Sequence, residues 1–288
     1  MKRSFLLASL CLGAAVPLHA AEISQEIEAT YGATSASRTN VSPFRNASVS
    51  EQSTQFQYVL SYAVPERPIV RLGVGYDRYD FGFAGPGLIP ETLQSLRLVA
   101  GIDLKISDIL MRIEAQPGFY GDNRGFNTGD FNCPIVFGAS YLTSKDVQWI
   151  LGLSYDGNRS YPIMGGLGVR WKFADRWVLN FVPPDPRLEY KASDDLTLFA
   201  GAHLINSTFR VSDSFGAVPH GRVYNNAIVE YTEVRTGAGA SWKLRGKGTL
   251  DVELGYEAYR DFDYHKVGDD FQTKSGAFYG QAGFKLNF

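Results

Sequence analysis

Apolar and polar positions alternate with period two in one segment after another along this chain. Val70, Leu72, Val74 and Tyr76 alternate with Arg71, Gly73, Gly75 and Asp77. Leu96, Leu98, Ala100, Ile102 and Leu104 interleave with Arg97, Val99, Gly101, Asp103 and Lys105. The same rhythm runs through Ile109–Gln116 and Leu250–Glu257. Successive side chains of a strand point to opposite faces, so each segment reads as a β-strand with one apolar face. The pattern predicts about 14 strands, near 22–31, 54–64, 69–79, 94–105, 109–119, 132–142, 147–156, 162–173, 177–182, 187–191, 196–211, 224–244, 248–262 and 275–288. Omitting the short, proline-flanked pair at 177–182 and 187–191 leaves 12 as the second choice. No segment after residue 21 carries a helical period.

The connections alternate as well. Short polar turns fall at 65–68, 107–108, 143–146, 174–176, 192–195 and 245–247. Longer loops are expected at 32–53, 80–92, 121–130, 212–222 and 263–274, with two shorter connections on that side at 156–161 and 183–186. Segments of about ten residues, joined by short turns on one side and long loops on the other, predict an all-β, antiparallel transmembrane β-barrel. Trp149, Trp171, Trp177 and Trp242 all fall beside short turns, where an amphipathic ring suits a membrane interface. Charges stay off the apolar faces: Arg71, Arg97, Asp103, Arg112, Glu114, Arg170, Glu233, Arg235, Asp251 and Glu253 are expected to line the lumen. On the lipid face one Arg or Lys would cost about 2–4 kcal/mol at the midplane.

Composition narrows the class. Lys2 and Arg3, the apolar run Phe5–Val16, Pro17 and the small residue Ala20 have the order of a secretory signal peptide, so 1–20 is expected to be removed and the barrel to occupy 21–288. No later apolar run reaches the ~20 residues of a spanning helix. With 28 Lys and Arg against 30 Asp and Glu, nothing suggests a nucleic-acid partner. Cys133 alone remains after the leader, which removes disulfides and cysteine-rich metal sites. No cofactor is expected.

In the last strand Phe278, Gly280, Ala282, Phe284, Leu286 and Phe288 share one face, and Phe288 ends the chain. Phe284, Leu286 and Phe288 resemble the terminal signal read by the barrel assembly machinery, which the chain would meet by strand pairing. Outer-membrane lipid and lipopolysaccharide are the other expected partners. Pro90-Glu91-Thr92-Leu93, Pro117-Gly118-Phe119-Tyr120-Gly121-Asp122, Pro184-Asp185-Pro186-Arg187-Leu188-Glu189-Tyr190 and Gly255-Tyr256-Glu257-Ala258-Tyr259-Arg260 resemble an uncharacterised family of bacterial outer-membrane β-barrels. The resemblance implies a fold and a Gram-negative outer-membrane location, and no activity.

Candidate chemistry is sparse. His203 falls on the lumen face of its strand, while His220 and His265 fall in long loops where a barrel hydrolase would place its base. No spacing of Ser212, Asp213 or Ser214 with His220, or of Asp261 or Asp263 with His265, matches a catalytic signature. Asp261, Asp263, Asp269 and Asp270 are oxygen donors of the kind calcium takes. The expected function is therefore a passive pore for small solutes, non-enzymatic, with mixed charges giving weak ion selectivity. The alternative is a lumen plugged by paired charges, in a structural or surface-binding barrel or a loop-site hydrolase using His220 or His265. Whether Arg71, Arg97, Arg112 and Arg235 pair with Asp103, Glu114, Glu233 and Asp251 across neighbouring strands decides between the two.

Overall fold

The computed structural model describes residues 22–41, 44–65, 67–84, 89–122, 127–216, 222–244, 248–273 and 275–288. The expected leader, His220 and the 245–247 turn lie outside them. Fourteen strands follow one another: β1 Glu22–Val41, β2 Phe44–Ala63, β3 Ile69–Ala84 and β4 Thr92–Ile106. Next come β5 (Ile109–Ala115 and Gly118–Asp122), β6 (Phe131–Asn132 and Ile135–Leu142), β7 Val147–Tyr155 and β8 Ile163–Ala174. The series ends with β9 Trp177–Phe181, β10 Arg187–Lys191, β11 Leu196–Arg210, β12 Ile228–Lys243, β13 Gly248–Tyr264 and β14 (Asp269–Gln272 and Ala277–Asn287). Each pairs antiparallel with its sequence neighbours, and β14 closes on β1 with Tyr31 opposite Ala282. The barrel is closed with fourteen strands, so the 12-strand alternative falls. Helix among the described residues is confined to two single 3-10 turns, Thr128–Asp130 and Arg222–Tyr224.

Three expected loops prove to be strand in part. Residues 32–41 and 44–53 continue β1 and β2 as a long antiparallel pair, with Thr34 opposite Glu51 and Arg38 opposite Ser48. Ser and Thr suit a strand whose two faces are both polar, a pattern that apolar alternation cannot detect. β3 runs on to Ala84, and the 263–274 loop pairs Phe262 with Phe271 as a hairpin. The start of β1 and the end of β14 lie at the short-turn end, where Phe288 and Gln25 exchange backbone hydrogen bonds of 2.7 and 3.0 Å.

The outer face carries large apolar side chains that are largely exposed. Leu98 is 58% exposed, Leu167 and Leu254 are 69% exposed, and Phe278 is 75% exposed. A monomer in water does not leave so continuous an apolar surface open, whereas lipid requires it. The tryptophans stand on this face beside the short turns, and Trp171, Phe173, Trp177 and Tyr190 form a row of ring contacts there.

At the long-loop end the barrel is pinched. β5 kinks at Gln116 and Pro117, opposite Pro134 of β6, and Gly118 sits where a Cβ would come 2.4 Å from the Leu96 carbonyl oxygen. The kink turns Gly121 inward until it meets Arg210 of β11 in parallel pairing. The Ser212 amide donates to Asp122 at 2.9 Å, and Arg210 donates to the Gly129 and Asn226 carbonyls. At this level β1–β5 and β11–β14 close on themselves, and β6–β8 stand outside that smaller ring. Replacing Leu254 with Arg on the outer face is expected to cost about 2–4 kcal/mol of folding free energy in lipid. Refolding titrations of Leu254→Arg into liposomes measure it, and a loss below 1 kcal/mol would place that face away from hydrocarbon.

Candidate solute-binding site

Side chains inside the smaller ring form a packed core. Tyr79 and Phe81 of β3, Phe209 of β11, Tyr231 of β12 and Phe262 of β13 meet there, joined by Leu93 and Tyr120. Phe81 packs edge-on against Phe262 at 5.0 Å between ring centres, and Tyr231 lies 5.2 Å from both Tyr79 and Phe262. Against the core sits a buried ionic cluster. Arg235 binds Glu51 at 2.9 Å and Glu233 at 2.8 Å, and Arg260 binds Glu51 at 2.8 Å and pairs with Glu257. The Tyr231 hydroxyl bridges Glu51 and Glu233 at 2.7 and 2.9 Å.

The expected lumen residues divide into four groups. Glu233 and Arg235 face inward but touch no open space, being 0% and 3% exposed within this cluster. Arg71 lies 4.0 Å from Glu114, Arg112 forks onto Asp103 at 2.6 and 2.7 Å, and Arg97 pairs with Asp77 across β3 and β4. Arg71, Arg112 and Arg235 thus meet the expected acids Glu114, Asp103 and Glu233, the last within its own strand, whereas Arg97 takes Asp77 and Asp251 has no ion pair among the described residues. Asp251 and Glu253 line an open vestibule at the short-turn end, of about 250 Å³, together with Glu28, Arg187 and Lys285. Glu253 accepts from Gln281 at 3.0 Å, and Lys285 pairs with Glu28. Arg170 is exposed on the inner side of β8, with no ion pair among the described residues.

Glu51 and Arg260, the centre of the ionic cluster, escaped the sequence reading. Glu51 lay in an expected loop. Arg260 sits past a bulge at Ala258, because Glu257 pairs with Arg235 while Tyr259 pairs with Val234. One extra residue reverses the inside-outside parity, so strict alternation would aim Arg260 at lipid. His203 contacts Asp185 at the vestibule wall. His265 stands at the rim beside Glu230 and Asp263, where ligand atoms of the three lie within 4.8 Å of one another. The four aspartates weighed for calcium do not gather at that spacing among the described residues. On the rim beyond the apolar band, burial, and then the charges of Asp263 and Asp270, push the Asp261 carboxyl up to about 6.

A second cavity, of about 350 Å³, is apolar. It lies between the inner side of β6–β8 and the outer side of β11, where Val136, Ile150, Met164, Val182, Pro184 and Leu204 face one another.

No family model matches the chain, and no curated protein matches it. Among solved structures it is similar to a deltaS2 mutant of the TodX monoaromatic hydrocarbon channel, at 9% identity over 92% of this chain and 90% of that one, with a TM-score of 0.49. An outer membrane channel from Pseudomonas putida F1 gives 10% identity, 93% and 96% coverage and a TM-score of 0.48. The Pseudomonas putida toluene transporter TodX gives 9%, 92% and 90%, with a TM-score of 0.44.

Two outcomes are expected of the charged groups. Arg260→Met leaves Glu51, Glu233 and Glu257 sharing one guanidinium and costs about 3–5 kcal/mol in urea unfolding, most of it recovered by adding Glu51→Gln. A change under 1 kcal/mol would mean that the cluster is hydrated. The raised pKa of Asp261 gives stability that is full below its unfolded value, near 4, and is lost as pH rises through about 6. Asp261→Asn should therefore flatten the unfolding midpoint between pH 4 and pH 7 and raise it at pH 7. An unchanged pH profile would contradict the assignment.

Proposed function

We propose that this protein is an outer-membrane barrel that passes small solutes, with the long-loop end outward and both termini in the periplasm. It is not built as an open general-diffusion pore. The observation that carries this reading is the filled outer half of the lumen. An aromatic core and a buried Glu–Arg cluster occupy the axis, while a polar vestibule opens toward the termini. Solute on a straight path would have to displace packed rings and break ion pairs in a water-poor interior, where leaving one charge unpaired costs several kcal/mol. Any passage must run beside the core or wait for it to move.

Closure of the sheet, the apolar outer band and the aromatic row at the short turns support the membrane location. The outward Phe284, Leu286 and Phe288, on a strand that seals the barrel against β1, fit presentation of an unpaired β14 to the assembly machinery before closure. The acidic rim at Asp261, Asp263 and Asp270 fits divalent-bridged contact with lipopolysaccharide.

The test is a paired measurement on refolded protein. Planar-bilayer recordings should show no long-lived conductance steps, while proteoliposomes take up a size series of small uncharged solutes faster than protein-free liposomes. Sustained steps of porin size would contradict the closed axis. Uptake equal to that of empty liposomes for every solute would overturn the channel reading.

A further inference from the structure

The wall of the barrel has a slot. β8 pairs with β9 only from Val169 to Ala174, and β11 pairs with β10 only from Thr197 to Gly201. Above that level Pro183, Pro184 and Pro186 end the hairpin, because proline supplies no N–H for further pairing. The hairpin's last links to β11 are the Ala202 and Leu204 amides donating to the Pro186 and Pro184 carbonyls at 2.9 and 3.0 Å. Between there and Arg210, the edge of β11 and the facing edge of β8 at Ile163–Gly168 have no strand between them among the described residues. Polar contacts span the gap at the top: the Ser160 amide donates to Glu230 at 2.7 Å, and the Thr208 hydroxyl to Asp156 at 2.7 Å. The slot therefore has a floor, two sides and a lintel. Ile163, Leu167, Phe181 and Leu198 around it are exposed on the outer face, level with the apolar band. Bare backbone at membrane depth is tolerated where it lines a cavity, and the 350 Å³ apolar cavity lies at this slot.

We infer that this slot is a lateral binding site for a small alcohol or phenol, reached from the hydrocarbon; the inference rests on the channel reading above. Three features select that ligand. The lining is apolar and the volume falls at the lower end of ligand pockets, which suits a body of one or two rings. Two lining residues hold buried polar atoms without a partner, the Asn206 Oδ1 acceptor and the Arg159 Nε donor. The Asn206 amide nitrogen is committed to Glu230 and Thr232 at 2.8 and 2.9 Å, and Arg159 Nη1 to Ser154 at 2.8 Å. A hydroxyl both donates and accepts, so it is a neutral group that matches both kinds of atom lining this cavity. A carboxylate would satisfy Arg159 but meet the Asn206 oxygen and the nearby Glu230. Third, Gly152 of β7 lines the cavity, and a Cβ there would meet nothing within 4 Å. No close approach requires glycine at this position, and its missing side chain leaves room.

Gly152→Leu therefore fills the site without straining the wall. The probe is 2-naphthol, titrated by fluorescence against the full mature barrel in nanodiscs, with empty nanodiscs subtracted. Saturable binding of one probe per chain is expected, weaker by tenfold or more in Gly152→Leu, whose heat-modifiable gel migration stays that of the wild type. Naphthalene and 2-naphthoate should bind at least fivefold more weakly than 2-naphthol. Equal binding by Gly152→Leu, or tighter binding of 2-naphthoate, would overturn the site or its ligand assignment. Absence of saturable binding would overturn it as well, while uptake of small solutes by wild-type proteoliposomes separately decides the channel reading.

Discussion

A strand edge in hydrocarbon leaves N–H and C=O groups without water, at several kcal/mol for each, so a sheet that crosses a membrane has to close on itself. In this protein that constraint acts twice. The fourteen strands close through β14 and β1 around the short-turn half, and the loop half closes again where Gly121 meets Arg210. The second closure takes β6–β8 out of the ring. It leaves β1–β5 and β11–β14 close enough for inward side chains to touch across the lumen, and the rings of Tyr79, Phe81, Tyr231 and Phe262 do so. The pinch thus accounts both for the filled axis and for the space left beside it.

The ionic cluster follows from the same geometry. Glu51, Glu233, Arg235, Glu257 and Arg260 come from β2, β12 and β13 and would be solvated in a wide lumen. Within the pinched ring they are buried, and three carboxylates share two guanidiniums. Breaking such an arrangement costs more than forming it gains, so it serves as a latch on the closed state rather than as a source of stability. Below it the charges of Glu28, Arg187, Asp251 and Lys285 remain around an open vestibule. One inner surface therefore changes from packed to wet along the barrel axis.

The strand count, the direction of most side chains and the positions of the tryptophans were legible in the sequence, because each depends on local period and on lipid outside. Register was not legible, and the candidate site depends on register. Arg71 meets Glu114 two strands away, and Arg235 meets Glu51 only once the ring is closed. The parity break at Ala258 hid Arg260, and the polar hairpin 32–53 hid Glu51. The slot did leave a trace. The strands around Pro183, Pro184 and Pro186 were the short, proline-flanked pair of the series, and their shortness is what leaves β8 and β11 unbridged.

The packed core and ionic cluster seal the lumen at the loop end and leave it open at the terminal end. Lys285→Cys, made in a Cys133→Ser background, places one thiol in the vestibule at a position whose side chain is 40% exposed. A membrane-impermeant maleimide applied to one side of uniformly oriented proteoliposomes should label it rapidly from the terminal side and not from the loop side. Equal labelling from both sides would contradict a seal at the loop end.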